Sequence, residues 1–102
     1  MTFIQNLSGE WLNADIIGLF SIYNNSINIT EIEYREGSIV SYKFLDIKDL
    51  DKYNEIPVKR YKEVLEYILD NIIYDLNIHY NVSWKRINEW VEEWFDEINV
   101  SK

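Results

Sequence analysis

The sequence predicts an α+β domain: a three-stranded antiparallel β-meander over residues 14–46, a short acidic segment, and two antiparallel α-helices over 57–98. Three observations lead there. The hydrophobic period changes from two to about 3.6 near Ile47. Pairs suited to tight turns, Asn24-Asn25 and Glu36-Gly37, divide the first half. Pro57 and Ser83 each precede a long apolar stripe with helical spacing.

Ala14 to Tyr23 is rich in Ile, Leu and Phe and stops at Asn24-Asn25, residues that tolerate the left-handed backbone of a hairpin turn. Ser8-Gly9-Glu10 also fits a helix cap, with Trp11, Leu12, Ile16 and Leu19 as its stripe, so residues 8–20 read as strand or as helix. Ser26 to Arg35 follows with Ile27, Ile29, Thr30, Ile32 and Tyr34, a β-branched and aromatic set. After Glu36-Gly37, Ser38 to Asp46 alternates through Val40, Tyr42 and Phe44.

Asp46 to Glu55 holds four acids and two lysines, with Leu50 and Tyr53 spaced for one helical face, and reads as a short helix or an acidic loop. Pro57 suits a first helical turn, where its missing N–H is not needed. Val58, Tyr61, Val64, Leu65, Ile68, Leu69, Ile72 and Leu76 then hold a stripe of about five turns. Asn77 to Val82 breaks it. Ser83 serves as the next N-cap, ahead of Trp84, Ile87, Val91, Trp94, Phe95 and Ile98.

Length and composition bound the function. A chain of 102 residues makes one domain, burying roughly 60–65% of its unfolded surface. At 47% hydrophobic it is not disordered. With no cysteine there is no disulfide, thiol nucleophile or Cys metal site. Neither a signal peptide nor an apolar run of membrane-spanning length is expected, which points to the cytoplasm. Ile outnumbers Leu 16 to 8 and Ala occurs once, a bias of AT-rich genomes that suggests a low-GC bacterium or its phage. A formal charge of −8 makes direct nucleic-acid binding unfavourable, because the average field repels phosphate.

The same inventory argues against catalysis. The single histidine, His79, lies between Ile78 and Tyr80, and no second histidine exists to build a metal pair. Its expected role is that of a packed or half-exposed loop residue. Gly9, Gly18 and Gly37 are too far apart for a phosphate loop, and the seven serines lack a recognisable base. Asp46, Asp49 and Asp51 lack the glycine and distal glutamate of an EF-hand loop. The expectation is a protein without enzymatic activity, cofactor or metal.

Charge along the helices is the most informative pattern. Lys59, Arg60 and Lys62 open the first helix, and Lys85 and Arg86 the second, against the helix dipoles. An antiparallel hairpin would set the first group beside Asp96 and Glu97, and the second beside Asp70 and Asp75. That pairing does not absorb all of the acid: Glu89, Glu92, Glu93, Asp96 and Glu97 are five carboxylates in nine residues that share one helical face, with no base among them. The row reads either as a solvated face or as a docking surface for a positively charged groove. Trp90 lies beside it and would supply an aromatic anchor within a charged rim.

In composition the chain resembles small, acidic, cysteine-free inhibitors of nucleic-acid enzymes: anti-CRISPR proteins, glycosylase inhibitors and nuclease-toxin immunity proteins. That resemblance implies a basic protein surface as partner, a nuclease or CRISPR effector, contacted through Glu89, Trp90, Glu92, Glu93, Asp96 and Glu97. A structural or oligomerising adaptor, and a small-ligand-binding domain lined by Tyr and Trp, are the alternatives.

Overall fold

A computed structural model describes residues 1–33 and 38–100, and the fold is α+β as the sequence predicts. Its order is β1 (Phe3–Gln5), β2 (Trp11–Asn13), β3 (Ile17–Tyr23), β4 (Ser26–Glu33), β5 (Ser38–Asp46), α1 (Tyr61–Asn77) and α2 (Trp84–Val100). β3, β4 and β5 form the meander, antiparallel and in sequence order. Asn24 and Asn25 make the first turn, both with positive φ (49° and 60°), the backbone of a two-residue primed turn that matches strand twist. The expected Glu36-Gly37 turn lies outside the described residues.

The first strand begins later than expected. Ala14–Ile16 is a 3-10 turn whose cap, the Asn13 side chain, accepts the Asp15 N–H at 2.9 Å. The helical alternative for residues 8–20 is overturned, because Trp11–Asn13 pairs with Phe3–Gln5 in a hairpin the sequence reading does not contain. Two backbone bonds lock β1 to the segment between the helices. The Gln5 N–H donates to the Val82 carbonyl at 2.8 Å, and the Val82 N–H donates to Phe3 at 2.9 Å. Residues 46–55 are neither one helix nor an open loop. They form two 3-10 turns, Ile47–Asp49 and Tyr53–Glu55, the first closed by a reciprocal capping box between Asp46 and Asp49.

Pro57 stands one step before a 3-10 turn, Val58–Arg60, which feeds α1. α1 ends in a Schellman arrangement: the His79 N–H donates to the Leu76 carbonyl and the Tyr80 N–H to the Asp75 carbonyl. His79 occupies the left-handed position, φ 64°, where glycine is usual, and its side chain is exposed. One face of the sheet, through Ile27, Ile29, Phe44 and Leu45, shares a single core with Val64, Leu65, Ile68 and Ile72 of α1 and Ile87, Val91 and Trp94 of α2. Ile4 and Val82 complete it, each fully buried.

Candidate protein-interaction face

The phase of α2 decides which residues reach solvent, and two side chains set it. The Ser83 hydroxyl accepts the Arg86 N–H at 3.1 Å, the N-cap the sequence predicts. The Gln5 amide oxygen accepts the Trp84 N–H at 3.0 Å, so β1 also holds the start of this helix. With the start fixed, Ile87, Trp90, Val91 and Trp94 turn inward, and Glu89, Glu92, Glu93, Asp96 and Glu97 all turn outward and are exposed. The five carboxylates span about 12 Å of helix axis, roughly one per 3 Å. A nucleic-acid strand carries one phosphate per about 3.4 Å of duplex axis.

Trp90 does not belong to that face. Only 3% of it is exposed, so its expected place beside the acids as an aromatic anchor is corrected. It lies three residues from Ile87 and four from Trp94, on the border of the buried stripe, and the Arg86 guanidinium covers its ring at 5.3 Å. The same device recurs along the helix. Arg60 lies 5.8 Å from the Trp94 ring and Lys52 lies 5.7 Å from that of Phe95.

These contacts show what the dipole-opposed bases do. Arg86 Nε donates to the Asp75 carboxylate across the two helices at 2.5 Å, as the hairpin reading expects. That hydrogen bond raises the Arg86 pKa above its ordinary value, against the opposing effect of burial, and Glu89 and Glu93 add to the rise. Arg60 and Lys62 depart from the expected pairing with Asp96 and Glu97: Arg60, in the turn before α1, reaches Glu63 at 3.7 Å, and Lys62 reaches Glu66 of its own helix at 3.9 Å.

The acidic surface extends beyond the predicted row. Glu63, Glu66 and Asp70 of α1 face Glu97 of α2 across an open groove of about 330 Å³ floored by Tyr67, Trp94 and Ile98. The Tyr67 hydroxyl donates to Glu97 at 3.2 Å. Burial first, and the neighbouring Glu97 second, push its pKa up, so it remains a neutral donor. Lys52 reaches Glu92 at 3.7 Å, an exposed pair of small energetic weight. Of these α1 acids the sequence reading gives only Asp70 a role, as an ion-pair partner of Lys85 and Arg86. Their spacing of three and four residues already places them on one face, and only the hairpin geometry brings that face against Glu97.

Among the described residues no group of three or more acids or histidines is arranged for a metal ion, and no helix is long and apolar enough to cross a membrane. Comparison with protein-family models, curated proteins and solved structures finds no match for the chain. The face therefore stands on its own geometry.

Proposed function

We propose that this chain is a non-enzymatic binding protein that lays its acidic helical face into the basic groove of a nucleic-acid-processing protein and blocks it stoichiometrically. The observation that carries the reading is the row from Glu89 to Glu97, whose charge spacing of about 3 Å per carboxylate approaches that of a phosphate strand. The groove acids Glu63, Glu66 and Asp70 widen that field across both helices. Anti-defence and toxin-immunity roles both use such a surface, and the partner's identity separates them.

The test is capture of the partner from the native host, followed by binding of the Glu93→Lys, Asp96→Lys double variant. Both positions are exposed on the outer face, so the fold is retained. The reading expects a basic nucleic-acid enzyme, displaced by heparin, with affinity falling at least about 30-fold in the variant, since removing one partner of a desolvated interfacial charge pair costs about 2–5 kcal/mol. Association of the native chain slows as salt rises, because steering between opposite charges is screened. Unchanged affinity and a salt-independent on-rate would overturn the proposal.

A further inference from the structure

The C-terminal end of α1 lies near the turn Ala14–Ile16 and the start of β3, and between them is a hollow of about 300 Å³. Its floor is apolar, made by Ile17, Phe20, Ile73 and Leu76. The Ala14 N–H donates to the Thr2 carbonyl at 2.8 Å, which sets Thr2 and Asp15 on one wall, with Asn77 and His79 across from them. The chain's single alanine, Ala14, is on the same wall, where a larger side chain would fill the space. Only 5% of Thr2 is exposed, and among the described residues its hydroxyl has no hydrogen-bond partner. No side-chain oxygen or nitrogen of the described residues is sealed from the surface without a partner, so this hydroxyl opens into the hollow. Withdrawn from bulk water with no protein group to bond, it is a standing cost that an occupant of the hollow would relieve.

We infer that the hollow binds a small organic amine, with its ammonium at the wall of Thr2 and Asp15 and its apolar body on the floor. Charge selects a cation. The lining holds one carboxylate and neither lysine nor arginine, in a chain of −8. It also lies at the negative end of the dipole of a 17-residue helix, where cations are favoured. An ammonium carries donors only, and the Thr2 hydroxyl, the Asp15 carboxylate, the Asn77 amide and the His79 ring can each accept. Volume sets the size. The hollow of about 300 Å³ equals the space of about ten waters, so a ligand of about ten non-hydrogen atoms fills it. That is the lower end of ordinary ligand pockets, and the dissociation constant is accordingly about 0.1–1 mM. The hollow shares no residue with the acidic row or with the groove beside it, so its failure leaves the proposed function untouched.

The test is an NMR titration of the full chain's amides with phenethylammonium, which has about nine non-hydrogen atoms and so suits the volume. Saturable shifts should centre on Thr2, Ala14, Asp15 and Ile17, while the amides from Glu89 to Glu97 stay in place. Phenethyl alcohol, the same body without the charge, should bind about three- to tenfold more weakly, and phenylpropionate should not bind. Acetyl-lysine amide separates a free amine from a peptide lysine: its side chain fills only about half the hollow, and it should bind at least about tenfold more weakly. Thr2→Val should weaken amine binding about three- to tenfold and leave Tm level or higher, because it removes a hydroxyl that no protein group meets. Ala14→Leu, verified as folded by circular dichroism, should abolish binding by filling the space. No saturable shift at about 10 mM phenethylammonium, ten times the weakest expected constant, would overturn the inference. So would equal affinity for the alcohol or the lysine amide, or binding indifferent to both Thr2→Val and Ala14→Leu.

Discussion

Replacing Arg86 by leucine tests the contact that ties the two helices. Asp75 is 3% exposed, and its carboxylate accepts from Arg86 Nε, whose side chain remains 42% exposed. Leucine keeps apolar cover over Trp90 but leaves a buried carboxylate facing no cation. Removing one partner of an enclosed pair costs about 3–5 kcal/mol, and water reaching the half-exposed arginine site lowers this to about 2–3 kcal/mol. For a domain of this size that corresponds to a fall in Tm of roughly 10–15 °C. Replacing both residues by leucine should restore most of the loss, because an apolar pair of similar volume is often neutral relative to a buried ion pair. Arg86→Lys should fall between, since an ammonium cannot reproduce the guanidinium's planar donor geometry. Urea unfolding followed at 222 nm gives the four free energies of a double-mutant cycle. A loss below about 0.5 kcal/mol in Arg86→Leu, or a double variant as unstable as the sum of its singles, would refute the reasoning.

Three further outcomes follow from single residues. His79→Gly should raise stability by about 0.5–1 kcal/mol by removing a side chain from a left-handed position, read as an upward shift in Tm, with a fall counting against the Schellman assignment. Asp46 accepts the Lys48 N–H at 3.0 Å, and this, set against burial and helped by Lys43, holds its pKa below the ordinary 3.8. The unfolded chain therefore binds the proton more readily. Its contribution is present above about pH 4 and lost as pH falls through the lower folded value, so Asp46→Asn should flatten the acid limb of stability. Trp90→Ala should cost about 3–5 kcal/mol through a core cavity, and an unchanged melting curve would return Trp90 to the surface.

The residues that carried local signals were readable. Ser38 and Asp46 bound the third strand as the alternation implies, Asn24-Asn25 forms its turn, and Ser83 caps its helix. What escaped was set by distant partners. Phe3–Gln5 and Trp11–Asn13 are three residues each, too short for any period, and exist as strands because Val82 offers a backbone for β1 to bond. Trp90 escaped differently. Its flanking acids suggested exposure, while its spacing from Ile87 and Trp94 already pointed inward. For the acidic row, helical geometry alone sufficed to predict a shared outward face. The groove acids needed the packing of one helix on the other.

The bonds between β1 and the interhelical segment also constrain the order in which the molecule assembles. Phe3 N–H reaches the Asn81 side chain and Gln5 accepts from Trp84, contacts separated by 78 and 79 residues. Closing a loop of that length costs about 4 kcal/mol of chain entropy, beyond a constant term, if nothing else has folded. Once the meander and the helical hairpin exist, most of that loop is already closed, and the same bonds form at a small fraction of the cost. β1 is thus made long before residue 82 but docks last, as a latch over a nearly complete core. In reverse it is the first element to let go, and its release strips Gln5 from the Trp84 N–H at the head of α2. Hydrogen exchange should find the amides of Gln5 and Val82 opening together, ahead of those in the centre of α1.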